Sequence, residues 1–201
     1  MPQDAGKAPE RRLILASTSP FRRELLSRLG VPFETAAPDV DETIAPGEPP
    51  AAAVQRLSGA KAAAVAAKAA DALVIGSDQV AVLDGMVLGK PGNHERAREQ
   101  LRRLSGRRIV FHSGLCLLDA TNGRRQVDCV DTEVVFRELA DGEIERYLLA
   151  ERPYGCAGSF MSERLGISLV ERIDSPDPTA LIGLPLVRLC EMLREAGLQV
   201  P

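Results

Sequence analysis

Residues 13–30, LILASTSPFRRELLSRLG, place a strand, a polar loop and a helix in direct succession, and the predicted fold is built outward from them. Residues 13–16 form an unbroken apolar run of the kind found in buried strands. Ser19 is a favourable helix N-cap, Pro20 suits the first helical position, and Gly30 suits the end of the helix. The stretch therefore predicts the strand–helix unit of an α/β protein.

Two arginines, Arg22 and Arg23, occupy the first turn of this helix, where a cation costs roughly 0.3–1 kcal/mol against the helix dipole. An anion bound at the helix start would reverse that cost, because hydroxyls at residues 17–19, free backbone N–H groups and guanidinium forks all suit phosphate. The alternative is a solvated turn in which Arg23 pairs with Glu24 or Glu34.

Composition limits the classes of function that this chain can serve. The 201 residues are 45% hydrophobic and 26% charged, which suits one globular domain with a full core. A net charge of -3 gives no electrostatic reason to expect nucleic acid or an anionic membrane as partner. Five Phe, two Tyr and no Trp also argue against a surface that stacks nucleic-acid bases.

Targeting signals are missing from the sequence pattern. No run reaches the apolar length of a membrane-spanning helix, and residues 1–12 lack the apolar segment of a signal peptide. We expect a cytoplasmic protein with a flexible polar tail over residues 1–11. Cys116, Cys129, Cys156 and Cys190 form no CxxC pair and share no metal-ligand spacing with His94 or His112, so buried reduced thiols are predicted.

The remaining pattern predicts one α/β domain over residues 12–201, with a mixed twisted sheet flanked by helices. Helices are predicted over 20–29, 51–70, 94–104, 141–150 (capped by Asp141) and 185–196. Strands are predicted over 13–16, 73–83, 86–88, 108–119, 125–137 and 167–170, with a further strand and loop within 31–50. The Asp-Gly and Asn-Gly pairs at 84–85 and 122–123 predict tight turns between strands.

An acidic cluster follows at Asp39, Asp41 and Glu42. Clustered carboxylates suit a hard cation such as Mg²⁺, whereas the plainer interpretation is a solvated acidic turn. The run DVDET also fits the DxDxT pattern of phosphatases that use the first Asp as nucleophile. Residues 35–38, TAAP, replace the apolar strand that normally precedes that Asp, which argues against this interpretation.

Two charged residues fall at positions that should be buried. Lys61 lies within the apolar stripe of its helix and needs an anionic partner, either a buried carboxylate or a substrate phosphate. Asp78 interrupts an apolar strand and is either a metal ligand or general base, or the structural partner of Lys90 beyond the next turn. Two arginines, two lysines and several acidic residues together predict a binding site for a metal-chelated polyphosphate.

Several segments in chain order resemble the Maf proteins, which are nucleoside triphosphate pyrophosphatases with an inosine-triphosphatase-like fold and a cleft between two lobes. They are LILASTSPFRRELL, DVDE, Lys61, GSDQV, GKP, AGSF with the following SE, and LIGLPL. The resemblance runs from about residue 13 to the C-terminus.

The resemblance implies a role for each matching residue. Asp78 and Lys90 would be catalytic, with Asp78 as acid/base. Ser17, Arg22, Arg23 and Lys61 would hold phosphates, together with Lys90, while Glu42 and Asp78 would hold a divalent cation (Mg²⁺, Mn²⁺ or Co²⁺). Water would attack the α-phosphorus and release a nucleoside monophosphate and pyrophosphate. A homodimer is also implied.

Three further positions, Phe21, Gln79 and Glu163, resemble the branch of the family that hydrolyses 7-methyl-GTP, in which the first position is often Trp. A 7-methylguanine ring is cationic, so an aromatic face attracts it, and Glu163 could accept hydrogen bonds from the guanine edge. We expect a house-cleaning hydrolase, with a link to cell-division arrest in the family. The alternatives are a dTTP- or UTP-preferring pyrophosphatase, a phosphatase using Asp39, and a non-catalytic nucleotide-binding regulator of septum formation.

Overall fold

A mixed seven-stranded sheet flanked by helices organises the chain, as the sequence predicts. The computed structural model describes residues 11–200. The strands are β1 (Arg12–Ala16), β2 (Glu34–Ala36), β3 (Ala72–Leu83), β4 (Met86–Leu88), β5 (Arg108–Asp119), β6 (Arg125–Phe136) and β7 (Val170–Asp174). The helices are α1 (Pro20–Ser27), α2 (Pro50–Ala66), α3 (His94–Leu104), α4 (Asp141–Glu151) and α5 (Leu186–Glu195).

The strand order is β2-β1-β3-β5-β6-β7, and β4 pairs with the far end of β3. β1 runs parallel to β2 and β3, whereas the pairs formed by β3, β5, β6 and β7 are antiparallel. β1 ends at Ala16 opposite Gly76, while β3 continues past that point. The loop that follows β1 therefore opens beside Asp78, two residues farther along β3.

Two groups of buried apolar side chains divide the domain into lobes. In one lobe, β1 and the first half of β3 pack against α1 and α5 on one face and against α2 on the other. In the other lobe, α3 and α4 pack with Phe160 on the far halves of β3, β5 and β6. A cleft lies between the lobes, in agreement with the predicted architecture.

Two glycines allow α2 to lie unusually close to the sheet. A Cβ at Gly76 of β3 would lie 2.0 Å from the Ser58 carbonyl oxygen, and one at Gly114 of β5 would lie 2.3 Å from that of Val54. Gly114 is the cross-strand partner of Asp78, so both glycines share the face that Asp78 presents to α2. This approach brings α2, and with it Lys61, against Asp78.

Two local predictions are wrong. Residues 165–169 form a 3₁₀ helix rather than the predicted strand, and the strand β7 follows at Val170–Asp174. Its polar sequence VERID carries little apolar signal, because it pairs on one side only with β6. Asp141 is not the N-cap of α4: its carboxylate binds Arg102, while Glu143 accepts a hydrogen bond from the backbone N–H of the N-cap Ala140.

The expected tail, residues 1–11, lies outside the described residues except for Arg11, which pairs with Asp119 at 2.5 Å. All four cysteines are free thiols. Only Cys116 is fully buried, whereas Cys129, Cys156 and Cys190 are partly exposed, so the prediction of buried thiols holds for one of the four. Among the helices of residues 11–200, none has the length and apolar character that a membrane crossing requires.

We expect Gly76→Ala to lower the free energy of unfolding by about 3 kcal/mol, because the new methyl group meets rigid backbone. Gly59→Ala is the matched control on α2, where a Cβ would meet only Arg125 at 3.5 Å. This second change should raise stability by about 0.5–1 kcal/mol through helix propensity. Urea unfolding measures both, and a Gly76→Ala protein as stable as the wild type would contradict the close packing.

Candidate active site

The cleft between the lobes has a volume of about 800 Å³. One wall is the loop after β1 with the first turn of α1, and the floor is formed by α2 and the middle of β3. The opposite wall comes from the segment after β4 and the loop after α4. The predicted site residues that line it are Ser17, Phe21, Arg22, Glu42, Lys61, Asp78, Gln79 and Lys90.

A buried ammonium group joins two carboxylates at the floor of the cleft. Lys61 Nζ lies 2.5 Å from Asp78 Oδ1 and 2.7 Å from Glu42 Oε1. Lys61 is 4% and Asp78 8% exposed, so each charge needs the other. Lys61 also lowers the pKa of Glu42 through its hydrogen bond and charge. The structural partner of Asp78 is thus Lys61, and the predicted alternative of an Asp78–Lys90 pair is wrong.

Glu42 and Asp78 have the donor set that a hard divalent cation needs. Each carboxylate uses one oxygen for Lys61, and within residues 11–200 the second oxygen of each accepts no hydrogen bond. Mg²⁺ and Mn²⁺ prefer carboxylate oxygens supplemented by water and substrate phosphates. The residues present therefore fit such an ion.

Arg22 is a desolvated cation aimed at the same place. Its Nε donates a hydrogen bond of 2.8 Å to the Gly183 carbonyl, and among the described residues it forms no ion pair. Burial lowers the pKa of its guanidinium, while the nearby charges of Asp78 and Glu42 partly offset that effect. Its two terminal nitrogens keep their donors for a ligand, which gives a physical reason for an arginine in the first turn of α1.

Lys90 and Ser17 complete the polar lining. Lys90 is exposed on the wall opposite Arg22, and its charge contributes to the lowered pKa of Glu42. Ser17 is 7% exposed, and its hydroxyl accepts a hydrogen bond of 3.1 Å from the Ser19 backbone N–H. Cations thus face the carboxylate pair from both sides of the cleft.

A loop before α5, which includes the LIGLPL segment, supports this arrangement from behind through contacts that the sequence did not reveal. Ser77 Oγ donates to the Gly183 carbonyl at 2.9 Å, the same oxygen that accepts from Arg22. Gln79 Nε2 lies 2.9 Å from the Ala180 carbonyl oxygen and 3.0 Å from that of Leu181. Because these acceptors are backbone carbonyls, no residue type in the loop marked them.

Asp177 fixes the same loop from within. This carboxylate is 2% exposed and accepts hydrogen bonds from the N–H groups of Thr179 and Val187. It thereby satisfies the start of α5, whose N-cap, Pro185, has no capping side chain. The available sequence signal was an Asp between two prolines, a few residues ahead of a predicted helix.

Three residues singled out from the sequence lie elsewhere. Arg23 is exposed and absent from the cleft lining, because it follows Arg22 by 100° around α1. Asp39 is likewise exposed outside the cleft, which removes the structural basis for a nucleophilic Asp39. Glu163 is exposed beyond the lining but close enough to Cys156 for its charge to help raise that thiol's pKa.

Cys156 lines the cleft without the properties of a nucleophile. Burial, followed by the charge of Glu163, raises the pKa of its thiol to about 11. Thiol nucleophiles need a depressed pKa, so the reactive chemistry of the cleft belongs to its carboxylates and cations.

Comparison with known proteins identifies the family of this chain. The family model described as Maf-like protein matches residues 12–196. The chain belongs to the Maf family. A relative from Albidiferax ferrireducens is 54% identical over 95% of this chain and 96% of its own length, and one from Cupriavidus metallidurans is 58% identical over 92% and 93%. A third, from Pseudomonas syringae pv. tomato, is 56% identical over 94% and 98%. Each bears the name 7-methyl-GTP pyrophosphatase.

In this Maf protein we expect Arg22→Met to weaken nucleoside triphosphate binding by about ten- to a hundredfold, the worth of lost charge-assisted hydrogen bonds. Arg23→Met is the matched control, one residue away on the exposed side of α1, and should bind within about twofold of wild type, as a surface change should. Titration calorimetry with a nucleoside triphosphate measures both. Equal losses in the two variants would show that Arg22 has no special position.

Proposed function

We propose that this Maf protein is a nucleoside triphosphate pyrophosphatase that hydrolyses 7-methyl-GTP to 7-methyl-GMP and pyrophosphate. The observation that carries the proposal is the cleft in which Arg22 and Lys90 face the Asp78–Glu42 carboxylate pair, while neither cation forms an ion pair within residues 11–200. Unpaired cations around carboxylates suit a ligand that brings both negative charge and a cation. The names of the relatives supply the substrate class.

The cations have separate tasks in this proposal. Arg22 and Ser17 donate hydrogen bonds to phosphate oxygens at the start of α1, and Lys90 binds phosphate from the other wall. Lys61, held between Asp78 and Glu42, positions both carboxylates and adds a charge below the phosphates. The phosphates so held place the α-phosphorus above Asp78.

Glu42 and Asp78 would hold the divalent cation. When bound, such an ion supplies charge neutralisation for the triphosphate and its leaving group. Mg²⁺, Mn²⁺ and Co²⁺ are the ions to compare. The two carboxylates sit on different segments, a loop and a strand, so closure of the loop around substrate would tighten the site.

Asp78 is the proposed general base. It orients a water molecule and takes its proton as the water oxygen bonds to the α-phosphorus. The bond from the α-phosphorus to the α,β-bridging oxygen breaks, and pyrophosphate leaves with those electrons. Lys61 keeps the Asp78 carboxylate in one orientation through the ion pair between Nζ and Oδ1.

Phe21 and Glu163 are the proposed contacts of the base. Phe21 lines the cleft one residue before Arg22, so a base stacked on its ring lies next to the bound phosphates. A cation–π contact of roughly 0.5–2 kcal/mol would favour the methylated, cationic ring over guanine. Glu163, beside Cys156, accepts hydrogen bonds from the guanine edge. Gln79 contributes indirectly, through the loop that its amide holds.

We further propose that residues 12–201 act as a single domain and as a homodimer in the cytoplasm. The family resemblance supports the single domain and the homodimer, and a free nucleotide as substrate supports the cytoplasm. Removal of such nucleotides before nucleic-acid synthesis is the proposed role.

Product analysis tests the reaction. We expect equimolar 7-methyl-GMP and pyrophosphate with Mg²⁺, Mn²⁺ or Co²⁺ present, and a fall in kcat of about 10²- to 10⁴-fold in Asp78→Asn, the usual contribution of a general base. Asp39→Asn is the control and should retain wild-type kcat, since Asp39 lies outside the cleft. Orthophosphate as product, or loss of activity in Asp39→Asn, would instead indicate a phosphatase.

Phe21 variants test the choice of base. We expect Phe21→Leu, which keeps an apolar contact without a π face, to lower kcat/KM for 7-methyl-GTP about 3- to 30-fold more than for GTP. Phe21→Trp should increase the preference for the methylated substrate. Equal losses on both substrates would remove the cation–π argument, and comparable wild-type rates on dTTP would overturn the branch assignment alone.

A further inference from the structure

The hairpin of β5 and β6 brings together three metal-ligating side chains outside the cleft. His112 stands directly opposite Asp131 in the register, and Cys129 precedes Asp131 by two residues, so all three share one face. Their donor atoms lie within 4.8 Å of one another. The spacing along the chain gave no sign of this cluster, because it depends on how the two strands pair.

We propose that His112, Cys129 and Asp131 form a binding site for a borderline-soft divalent metal ion of the Zn²⁺ or Co²⁺ type. One imidazole nitrogen, one thiolate and one carboxylate oxygen are three of the ligands that such ions take, and water fills the fourth position. The thiolate distinguishes this site from the cleft, where oxygen donors suit Mg²⁺ or Mn²⁺. The site is independent of the proposed function.

The distances already approach those of a coordinated ion. Metal–ligand bonds of about 2.0–2.3 Å place tetrahedral donors about 3.3–3.8 Å apart. Cys129 Sγ lies 3.5 Å from Asp131 Oδ1, within that range. His112 Nδ1 lies 2.6 Å from the same oxygen and has to separate from it by less than about 1 Å. Asp131 is exposed and can make that movement by rotating its side chain.

The carboxylates around Cys129 also favour a cation. Asp131 contacts the Cys129 thiol, and Asp128 accepts a hydrogen bond from the Cys129 backbone N–H. A dication bound by the thiolate would displace the thiol proton to solvent. His112 has only 16% of its side chain exposed, so the ion would be held at the edge of the packed sheet rather than in open solvent.

The site is separate from the active-site cleft. In the register, Asp78, Gly114 and Cys129 form one row across β3, β5 and β6, which places Cys129 about 10 Å from Asp78. Helix α2 packs over Gly114 between them. The three ligands are all absent from the cleft lining.

Cobalt spectroscopy on the full chain tests the proposal. Co²⁺ added to the reduced protein should produce a thiolate-to-cobalt charge-transfer band at one equivalent, and Zn²⁺ should abolish that band. Cys129→Ser should lack the band. His112→Ala removes a ligand and should weaken the Co²⁺ binding that produces the band by more than tenfold. Loss of a group that only hydrogen-bonds to a ligand already costs roughly tenfold.

Matched cysteine variants assign the band to its source. Cys190→Ser and Cys156→Ser should both keep the band, since neither cysteine is a proposed ligand. Cys156 is included because it lines the cleft, where a second Co²⁺ could bind. Far-ultraviolet circular dichroism without metal checks that each variant is folded. No band in the wild type, or a band that persists in Cys129→Ser, would overturn the proposal and leave His112 and Asp131 as a hydrogen-bonded pair across two strands.

Discussion

The Lys61 ammonium group, held between Asp78 and Glu42, is the interaction on which the arrangement of this protein depends. It joins a helix, a strand and a loop through one buried charge. Removing one partner of the buried Lys61–Asp78 pair typically costs roughly 3–5 kcal/mol, so the helix and the strand are fixed relative to one another. The Glu42 side chain is 56% exposed, so its loop is held more weakly. The two glycines beneath α2 make the contact geometrically possible, because any side chain there would hold the helix and its lysine away from the sheet.

Around that centre, where two carboxylates share one ammonium group, the protein keeps charges that do not stabilise the fold. Arg22 is desolvated and forms no ion pair in the described part of the chain, and its position in the first turn of α1 opposes the helix dipole. A protein selected for stability alone would place an apolar or acidic residue there. The cost is understandable if the partner is a ligand that is present only during turnover.

Local sequence patterns correctly predicted secondary structure and burial where a single segment has a clear apolar run or helical period. The apolar run before Ser17 and the helical period around Lys61 predicted the strand, the helix and the burial of a charge. They could not separate Arg22 from Arg23, since orientation around a short helix depends on how it packs. The 3₁₀ turn before β7 was missed because β7 is polar and is defined by its pairing with β6.

Contacts between residues far apart in the chain could not be predicted from local patterns, because they depend on how the strands and helices pair. The His112–Cys129–Asp131 cluster exists only once the register of β5 and β6 is known. Asp78 was predicted to be a metal ligand, a general base or the partner of Lys90, and its pairing with Lys61 became evident only once the depth of α2 against the sheet was known. In both cases the sequence identified chemically suitable residues but gave no information on the distances between their side chains.

The loop before α5 acts on the cleft through main-chain oxygens alone. Gly183, with a φ of +121°, sets the direction of the carbonyl that orients Arg22. The side chains that hold the loop, such as those of Asp177 and Thr179, therefore matter to the cleft only through the path that they give the main chain. An insertion or deletion in this loop would move the Gly183 carbonyl and, with it, the Arg22 side chain that it orients. Libraries that diversify only the side chains around the cavity leave this determinant of substrate alignment unsampled.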